Sequence, residues 1–212
     1  VPTARDGGLD VDAIREAASE DTALIVLNTP NNPTGAVYDL DAVREVVEIA
    51  AAVDALVVVD EVYDRFDLTG SFESALTLDS ERVIVTSGFS KSMAITGFRV
   101  GYGVFPEAHV GDAKTRHMLV NVTGARPSQY AVYHALEETP SDYYAASRDL
   151  LADRVDAFAA ALDAAGAEYG RPEGAFYVLA RFDGFPRTMA NVTRLIDEAG
   201  AAGRPAEAFG TA

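Results

Sequence analysis

The sequence has no cysteine and no apolar run longer than a single strand. The first absence excludes disulfide bonds, thiolate metal sites and cysteine nucleophiles, and it agrees with a cytoplasmic protein. The second predicts that no segment spans a membrane. The first residues carry no basic region followed by an apolar stretch, so we expect no secretory signal peptide there. We therefore predict a cytoplasmic protein without membrane contacts.

Basic residues are scarce, since 17 Lys and Arg stand against 33 Asp and Glu and the formal net charge is −16. Contacts to phosphates need clustered Lys and Arg, so this balance argues against a nucleic-acid partner. The acidic residues are dispersed and do not form blocks. This favours a solvated surface adapted to high salt over an acidic partner-binding face. We therefore hypothesise a halophilic host.

Lysine is scarcest of all, because the chain contains only Lys91 and Lys114. Lys91 lies between a turn of small residues and Arg99. Arginine cannot replace an amine that must lose its proton and attack a carbonyl, because the guanidinium stays charged at any accessible pH. We predict that Lys91 is a nucleophile that forms a Schiff base.

Strand and helix patterns alternate over the first two thirds of the chain. Short apolar runs predict three buried strands and a fourth after them, at residues 23–27, 55–59, 82–86 and 99–104. Residues 40–54 have helical periodicity, and Asp39 or Asp41 suits the N-cap. The pattern indicates an α/β fold, with a mostly parallel sheet sandwiched by helices.

The composition changes near residue 140, where a polar stretch with one proline interrupts the pattern. Beyond it the periodicity predicts a helix over 143–165, a strand over 174–180 and a helix over 188–199. We expect residues 1–139 to form part of a large domain. Residues 140–212 are expected to form a smaller α+β C-terminal domain, which is truncated.

Polar segments follow each of the first three predicted strands. In open parallel sheets, ligands bind beyond the carboxyl ends of the strands, so we predict that these segments converge on one crevice. The segments are Asn31-Asn-Pro-Thr-Gly35, Asp60-Glu-Val-Tyr63 and Ser87-Gly-Phe-Ser-Lys91.

Two readings stay open for each polar residue taken alone. Asp60 is either a turn or N-cap residue or a desolvated carboxylate that pairs with a protonated ring nitrogen. Tyr63 is either a core tyrosine or a hydrogen-bonding group beside Asp60, and Asn32 either shapes a turn or faces the site. The chain's Phe66, Tyr102, Phe176 and Tyr177 are interpreted as core packing.

Phosphate binding is the second chemistry that the pattern suggests. Arg99 is either a surface arginine or a phosphate clamp. Ser87 and Ser90 either belong to a plain loop or supply further phosphate donors, together with the amides of the same turn.

Together these residues resemble the class I and II aminotransferases of the fold-type I pyridoxal-phosphate superfamily. The resemblance covers essentially the whole chain, and its motifs occur in the family's order. They are Asn31-Asn32-Pro-Thr-Gly35, Asp60-Glu-Val-Tyr63, the stretch from Gly88 to Gly101, and Gly174-Ala-Phe-Tyr177. It implies an aminotransferase that moves an amino group between an amino acid and a 2-oxo acid, with a large pyridoxal-phosphate-binding domain and a homodimer when full length.

The resemblance also implies roles for single residues. Lys91 would form the Schiff base with pyridoxal 5′-phosphate and shuttle a proton. Asp60 would pair with the pyridinium nitrogen, while Tyr63 and Asn32 would hydrogen-bond the phenolic oxygen of the cofactor. Arg99 would bind the phosphate, with help from the serines named above.

Two parts of the family pattern are not matched. Residues 1–21 contain neither the expected phosphate loop nor an aromatic that stacks on the cofactor ring. The sequence after Phe209 does not continue into a strand with a substrate-binding arginine. We therefore expect that this chain is a fragment.

Two other functions stay open, a β-eliminating carbon–sulfur lyase with the same cofactor and a non-catalytic aminotransferase-like regulatory domain.

Overall fold

The computed structural model of this chain describes residues 1–4 and 6–209. Residues 210–212, at the end of the predicted C-terminal domain, lie outside the described residues. The strands are β1 Leu24–Asn28, β2 Leu56–Asp60, β3 Val83–Gly88, β4 Gly101–Val104, β5 Glu168–Tyr169 and β6 Ala180–Arg181. The α-helices are α1 Val11–Ala17, α2 Leu40–Ala52, α3 Phe89–Ser92, α4 Glu107–Asn121, α5 Arg126–Glu138, α6 Tyr143–Ala164 and α7 Met189–Ala199.

The four longer strands form one sheet in the order β1-β2-β3-β4, while β5 and β6 form a short antiparallel pair. The first three strands are parallel, which confirms the predicted mostly parallel sheet. The fourth predicted strand is an antiparallel edge strand and begins at Gly101 instead of Arg99. Arg99 has a left-handed φ of 57° after the 3₁₀ turn Thr96–Phe98, so the chain reverses there. A Cβ at Gly101 would lie 2.9 Å from the carbonyl oxygen of Ser87.

Helix α2 supplies most of the cover for one face of the sheet. Its apolar residues recur at helical spacing, and the buried ones are Val43, Val46, Val47, Ile49 and Ala50. Asp39 caps the helix, because its side chain accepts from the backbone N–H of Asp41. The buried sheet residues Val57, Val59 and Val85 belong to the same core. Burial of each valine side chain contributes on the order of 1.5 kcal/mol.

The opposite face of the sheet is only partly covered by the described residues. Leu24 and Val26 point away from the α2 side and are 47% and 64% exposed. All four residues of β4 are exposed as well. The described residues therefore fill one side of the predicted sandwich and leave much of the other side open.

The C-terminal half contains two of the three predicted elements. Helices α6 and α7 lie within one residue of the predicted bounds. The predicted strand over 174–180 is wrong, because only Ala180 and Arg181 are in strand conformation and the preceding residues pack against the loop after β1. Helices α1, α3, α4 and α5 were not predicted. The domain boundary near residue 140 stays a prediction. Among the described residues, no helix combines the length and apolarity that crossing a bilayer requires.

Candidate active site

The carboxyl ends of the three parallel strands lie side by side. Asn28 of β1 stands opposite Asp60 of β2, and Asp60 stands opposite Thr86 of β3. The amide of Asn28 links two of these ends, because its Nδ2 donates to the carbonyl oxygen of Asp60 at 3.0 Å. The three polar segments predicted to converge therefore leave the sheet along one edge.

Asp60 is a half-buried carboxylate at the centre of this edge. Its Oδ1 accepts from the backbone N–H of Val62 at 3.2 Å. Burial raises the pKa of Asp60 above its usual value, and the hydrogen bonds from Val62 and Thr86 partly oppose that rise. Asp60 forms no ion pair with any described residue. A desolvated carboxylate without a cation suits a protonated ring nitrogen, which would restore its ionised form.

The loop after β1 presents one asparagine inward and the next outward. Asn31 is buried and shapes the turn, since its Oδ1 accepts from the N–H and the hydroxyl of Thr34. Asn32 is exposed, and its backbone N–H donates to Oδ1 of Asn28 at 2.8 Å. The Nδ2 of Asn32 approaches the Tyr63 hydroxyl at 3.5 Å. The structure thus assigns the turn chemistry to Asn31 and leaves Asn32 facing the site.

Tyr63 follows β2 at the entry to the 3₁₀ turn Asp64–Phe66 and is only 4% exposed. Its hydroxyl lies 2.9 Å from the hydroxyl of Tyr177. Burial is the main cause that raises the pKa of Tyr63, and the hydrogen bond with Tyr177 adds to it. The ring of Phe176 meets the Tyr63 ring edge-on, with 5.3 Å between the ring centroids.

Lys91 lies in the short helix α3, directly after β3. Its Nζ is 6.0 Å from the ring centroid of Tyr63 and 6.0 Å from that of Phe176. Lys91 makes no ion pair with any residue the structure describes. Lys114 lies on the exposed helix α4. The two lysines therefore differ sharply, and only Lys91 has its amine at the edge that carries Asp60 and Tyr63.

Arg99 and the two serines occupy the far side of the β3 end. Nη1 of Arg99 donates to the carbonyl oxygen of Thr96 at 2.7 Å and lies 3.4 Å from Oγ of Ser90. The Ser87 hydroxyl donates instead to the carbonyl oxygen of Glu61 at 3.2 Å. The exposed guanidinium of Arg99 and the hydroxyl proton of the half-buried Ser90 could both donate to an anion, whereas Ser87 would first have to release its present acceptor.

Two residues at this edge were missed or misread in the sequence. Glu61 is a buried carboxylate whose oxygens accept from Ser74 Oγ and from the N–H of Ala75, both at 2.8 Å. Tyr177 was interpreted as core packing, but its hydroxyl meets that of Tyr63. Tyr177 could have been found because it belongs to the motif that starts at Gly174. Glu61 belongs to the motif that starts at Asp60, but no sequence pattern distinguished its role from that of Asp60.

Comparison with known proteins identifies the family. The family model described as aminotransferase class I and II matches residues 1–212. The chain belongs to this family. This confirms the resemblance read from the four motifs. The sheet edge with Asp60 and Lys91 is therefore the candidate active site of a class I and II aminotransferase chain.

Several relatives are similar over most of the chain. A probable aspartate/prephenate aminotransferase from Thermus aquaticus is 34% identical over 183 residues, which are 84% of this chain and 48% of that protein. A probable N-succinyldiaminopimelate aminotransferase from Mycobacterium tuberculosis is 31% identical over 99% of this chain and 54% of its own length. A solved structure of a Thermus thermophilus aspartate aminotransferase double mutant has a TM-score of 0.89 at 28% identity, over 96% of this chain and 54% of that one. The chain spans about half the length of the relatives it matches.

Members of this family depend on pyridoxal phosphate, which confirms the predicted cofactor. The residues present here fit that group chemically. Among the described residues, neither the Asp60 carboxylate nor the Lys91 amine has an ion-pair partner, and Arg99 is an exposed guanidinium beside a hydroxyl. Which atoms each of these residues contacts in the loaded protein stays a prediction.

Proposed function

We propose that this chain carries the lysine-bearing part of a pyridoxal-phosphate-dependent aminotransferase that moves an amino group between an amino acid and a 2-oxo acid. One observation carries the proposal. The amine of Lys91 lies 6.0 Å from the ring centroids of both Tyr63 and Phe176, at the sheet edge where Asp60 presents a carboxylate that pairs with no cation among the described residues. A positively charged ring nitrogen would favour the ionised form of this carboxylate, and an amine that is not held in an ion pair with a described residue is available to react with a carbonyl.

Each residue of the edge has a distinct task in this proposal. Lys91 would attach the cofactor and would take and return the proton at the reacting carbon. Asp60 would hold a proton on the ring nitrogen, and Tyr63 with Asn32 would orient the ring through its oxygen. Arg99 would anchor the phosphate together with Ser90. When bound, pyridoxal phosphate supplies an electron sink for the carbanion that proton removal leaves.

The test is covalent mapping of the reactive lysine in the whole protein. Borohydride reduction in the presence of pyridoxal phosphate, followed by peptide mapping, should place the label on Lys91. A Lys91→Arg variant keeps the positive charge but loses the reactive amine, so it should take no label there. Lys114→Arg is the matched control and should label normally. Label on Lys114 in place of Lys91 would contradict the proposal.

The products separate the two chemistries open to this cofactor. An aminotransferase needs a 2-oxo acid acceptor, and without one it should convert only one equivalent of amino acid per site. A β-eliminating lyase would release ammonia and an oxo acid continuously without any acceptor. A regulatory relative would do neither, so acceptor-dependent turnover is the expected outcome.

We further propose that the whole protein acts as a cytoplasmic homodimer in a high-salt host. The charge of −16 and the absence of cysteine support the host and the compartment. Apolar side chains exposed on α4, among them Leu119 and Val120 at 75% and 79%, support association. Sedimentation at rising salt should give a dimer whose fold weakens as salt is removed. A monomer that stays folded in dilute buffer would contradict both parts.

A further inference from the structure

A segment from the C-terminal half, residues 172–177, is held against the loop after β1. The backbone N–H groups of Glu173 and Gly174 both donate to the carbonyl oxygen of Gly35, at 2.9 and 2.8 Å. The carbonyl oxygen of Glu173 accepts from the backbone N–H of Leu68 at 2.8 Å. The Glu173 side chain accepts from the backbone N–H of Val37 at 3.1 Å. We call residues 172–177 the docked segment. Its backbone is fixed from two sides, by the loop and by the stretch after Tyr63.

The shape of the docked segment leaves it little freedom. A Cβ at Gly174 would lie 2.8 Å from Cβ of Pro30, 2.9 Å from Cγ2 of Val37 and 3.0 Å from the carbonyl oxygen of Phe66. The next residue, Ala175, is fully buried and has a left-handed φ of 52°. Tight packing around a strained residue means that the surroundings determine the conformation. The packing around Gly174 and Ala175 therefore fixes the positions of the two aromatic residues that follow.

These aromatic residues meet Tyr63 and not the main core. The Phe176 ring packs edge-on against Tyr63, and the Tyr177 ring does the same with 5.5 Å between centroids. The two hydroxyl oxygens of Tyr63 and Tyr177 are 2.9 Å apart. Tyr177 is half-buried and Phe176 is 41% exposed, which an ordinary core pair would not be.

The hydrogen bond between the hydroxyls of Tyr63 and Tyr177 can run in either direction. Nδ2 of Asn32 can only donate, and it points at the Tyr63 oxygen from 3.5 Å. The Tyr63 oxygen can accept from Asn32 while either hydroxyl of the tyrosine pair donates to the other. Tyr63 thus links Asn32 to Tyr177 in both arrangements.

We propose that Tyr177 is a positioning residue that orients the hydroxyl of Tyr63 and can exchange roles with it. The proposal rests on the proposed function of Tyr63 at the cofactor ring. When the Tyr63 hydroxyl donates its hydrogen bond to a ligand oxygen, it no longer donates to Tyr177. Tyr177 can then donate its own proton to the Tyr63 oxygen, so the pair keeps one hydrogen bond in both states. No covalent bond changes, and each oxygen retains its proton.

The test reads Tyr63 directly in the ligand-free chain by NMR of tyrosines labelled with ¹³C at Cζ, whose shift follows hydrogen bonding and ionisation of the phenol. Tyr63→Phe assigns the resonance, since it is the signal that this variant loses. Tyr177→Phe keeps the ring and removes only the hydroxyl. It should move the Tyr63 resonance, because the Tyr63 hydroxyl loses its hydrogen-bond partner. The charged groups that face Tyr63, Asp60 and Lys91, are unchanged in this variant.

Tyr169→Phe is the matched control in the same half of the chain, where the hydroxyl contacts Asp163 and the carbonyl oxygen of Ala159. It should leave the Tyr63 resonance unmoved. A second variant, Asn32→Ala, should move the Tyr177 resonance, because loss of the Asn32 donor favours donation from Tyr177 to the Tyr63 oxygen. An unchanged Tyr63 signal in Tyr177→Phe, or an unchanged Tyr177 signal in Asn32→Ala, overturns the proposal. These spectra need no cofactor, so a failure of lysine labelling would be seen separately.

Discussion

The sheet region and the helical region of this chain are built in different ways. The main cluster of buried apolar residues comes entirely from residues 14–85, around β1, β2, β3 and α2. In contrast, α4 buries none of its side chains, and α5 and α7 bury one each, Val132 and Val192. The candidate active site lies on the densely packed region. The helical region contacts that site through the docked segment. The packed core thus supports the site residues, while a segment from the other half of the chain packs against Tyr63.

The largest effect should come from placing one charge in each region. Val46→Asp in α2 puts a carboxylate where the valine has 0% exposure, and we expect a loss of roughly 3–5 kcal/mol of unfolding free energy. Leu150→Asp in α6 introduces the same charge at 53% exposure and should cost less than about 1 kcal/mol. Denaturant unfolding followed by circular dichroism measures both. Equal losses would remove the contrast between the regions.

The buried carboxylate of Glu61 should be the next most sensitive position. Glu61→Ala leaves the N–H of Ala75 and the hydroxyl of Ser74 without their acceptor and should cost about 1–3 kcal/mol. Glu61→Gln keeps an oxygen for Ala75 and should retain most of the stability. Unfolding of the two variants under one condition provides the comparison. Similar losses in both would mean that the charge itself, and not the acceptor, holds this turn.

Contact between the two regions can be weakened at Gly174. Gly174→Ala forces a methyl group against Pro30 and Val37 and should cost roughly 1–3 kcal/mol. The amide of Gly174 itself should exchange with deuterium faster, since its bond to Gly35 is strained. Gly203→Ala is the control, because no atom lies within 4 Å of the added methyl group. Unaltered exchange in Gly174→Ala would mean that the docked segment adapts.

The pH dependence of the unfolding free energy should distinguish the contribution of Glu61 from those of its neighbours. Burial raises the pKa of Glu61 above its usual 4.5 in the folded chain. A raised pKa means that its favourable contribution is complete below the unfolded value and is lost as pH rises through the folded value. Wild type should therefore lose stability relative to Glu61→Gln as pH rises through this window. Asp60 and Asp64 share the direction and are present in both proteins, so the difference between the two proteins reports Glu61 together with its repulsion of these two carboxylates. A constant difference across the window would contradict the assignment.

Neutralising one partner of a surface ion pair should change the unfolding free energy least. The change should be equally small in the two regions. Arg194 lies 3.0 Å from Glu198 in α7, and Arg15 lies 2.9 Å from Asp12 in α1. Glu198→Gln and Asp12→Asn should each change the unfolding free energy by less than about 0.5 kcal/mol, and less at high salt. A loss above about 1 kcal/mol in only one region would show that its surface charges are organised differently.

Sequence patterns located the sheet better than its surroundings. The strands that precede Asn31 and Asp60 were found because a buried parallel strand is a continuous apolar run closed by polar residues. The helix after Asp39 was found from its cap and its spacing. Helix α4 was missed because its apolar residues follow no single face and none is buried. The predicted strand after Gly174 failed because contacts with the loop after β1 hold that stretch in an irregular conformation.

The chain's own sequence determined which residues stand at the ends of the parallel strands, because alternating buried strands and helices are encoded by near neighbours. That suffices to place Lys91 and Asp60 at one edge. Only the tertiary structure decided that β4 runs antiparallel, that Glu61 ties down the turn at Ser74, and that Tyr177 meets Tyr63. Tyr63 and Tyr177 are 114 positions apart. Their contact depends on how the docked segment packs in three dimensions, and no local pattern carries that information.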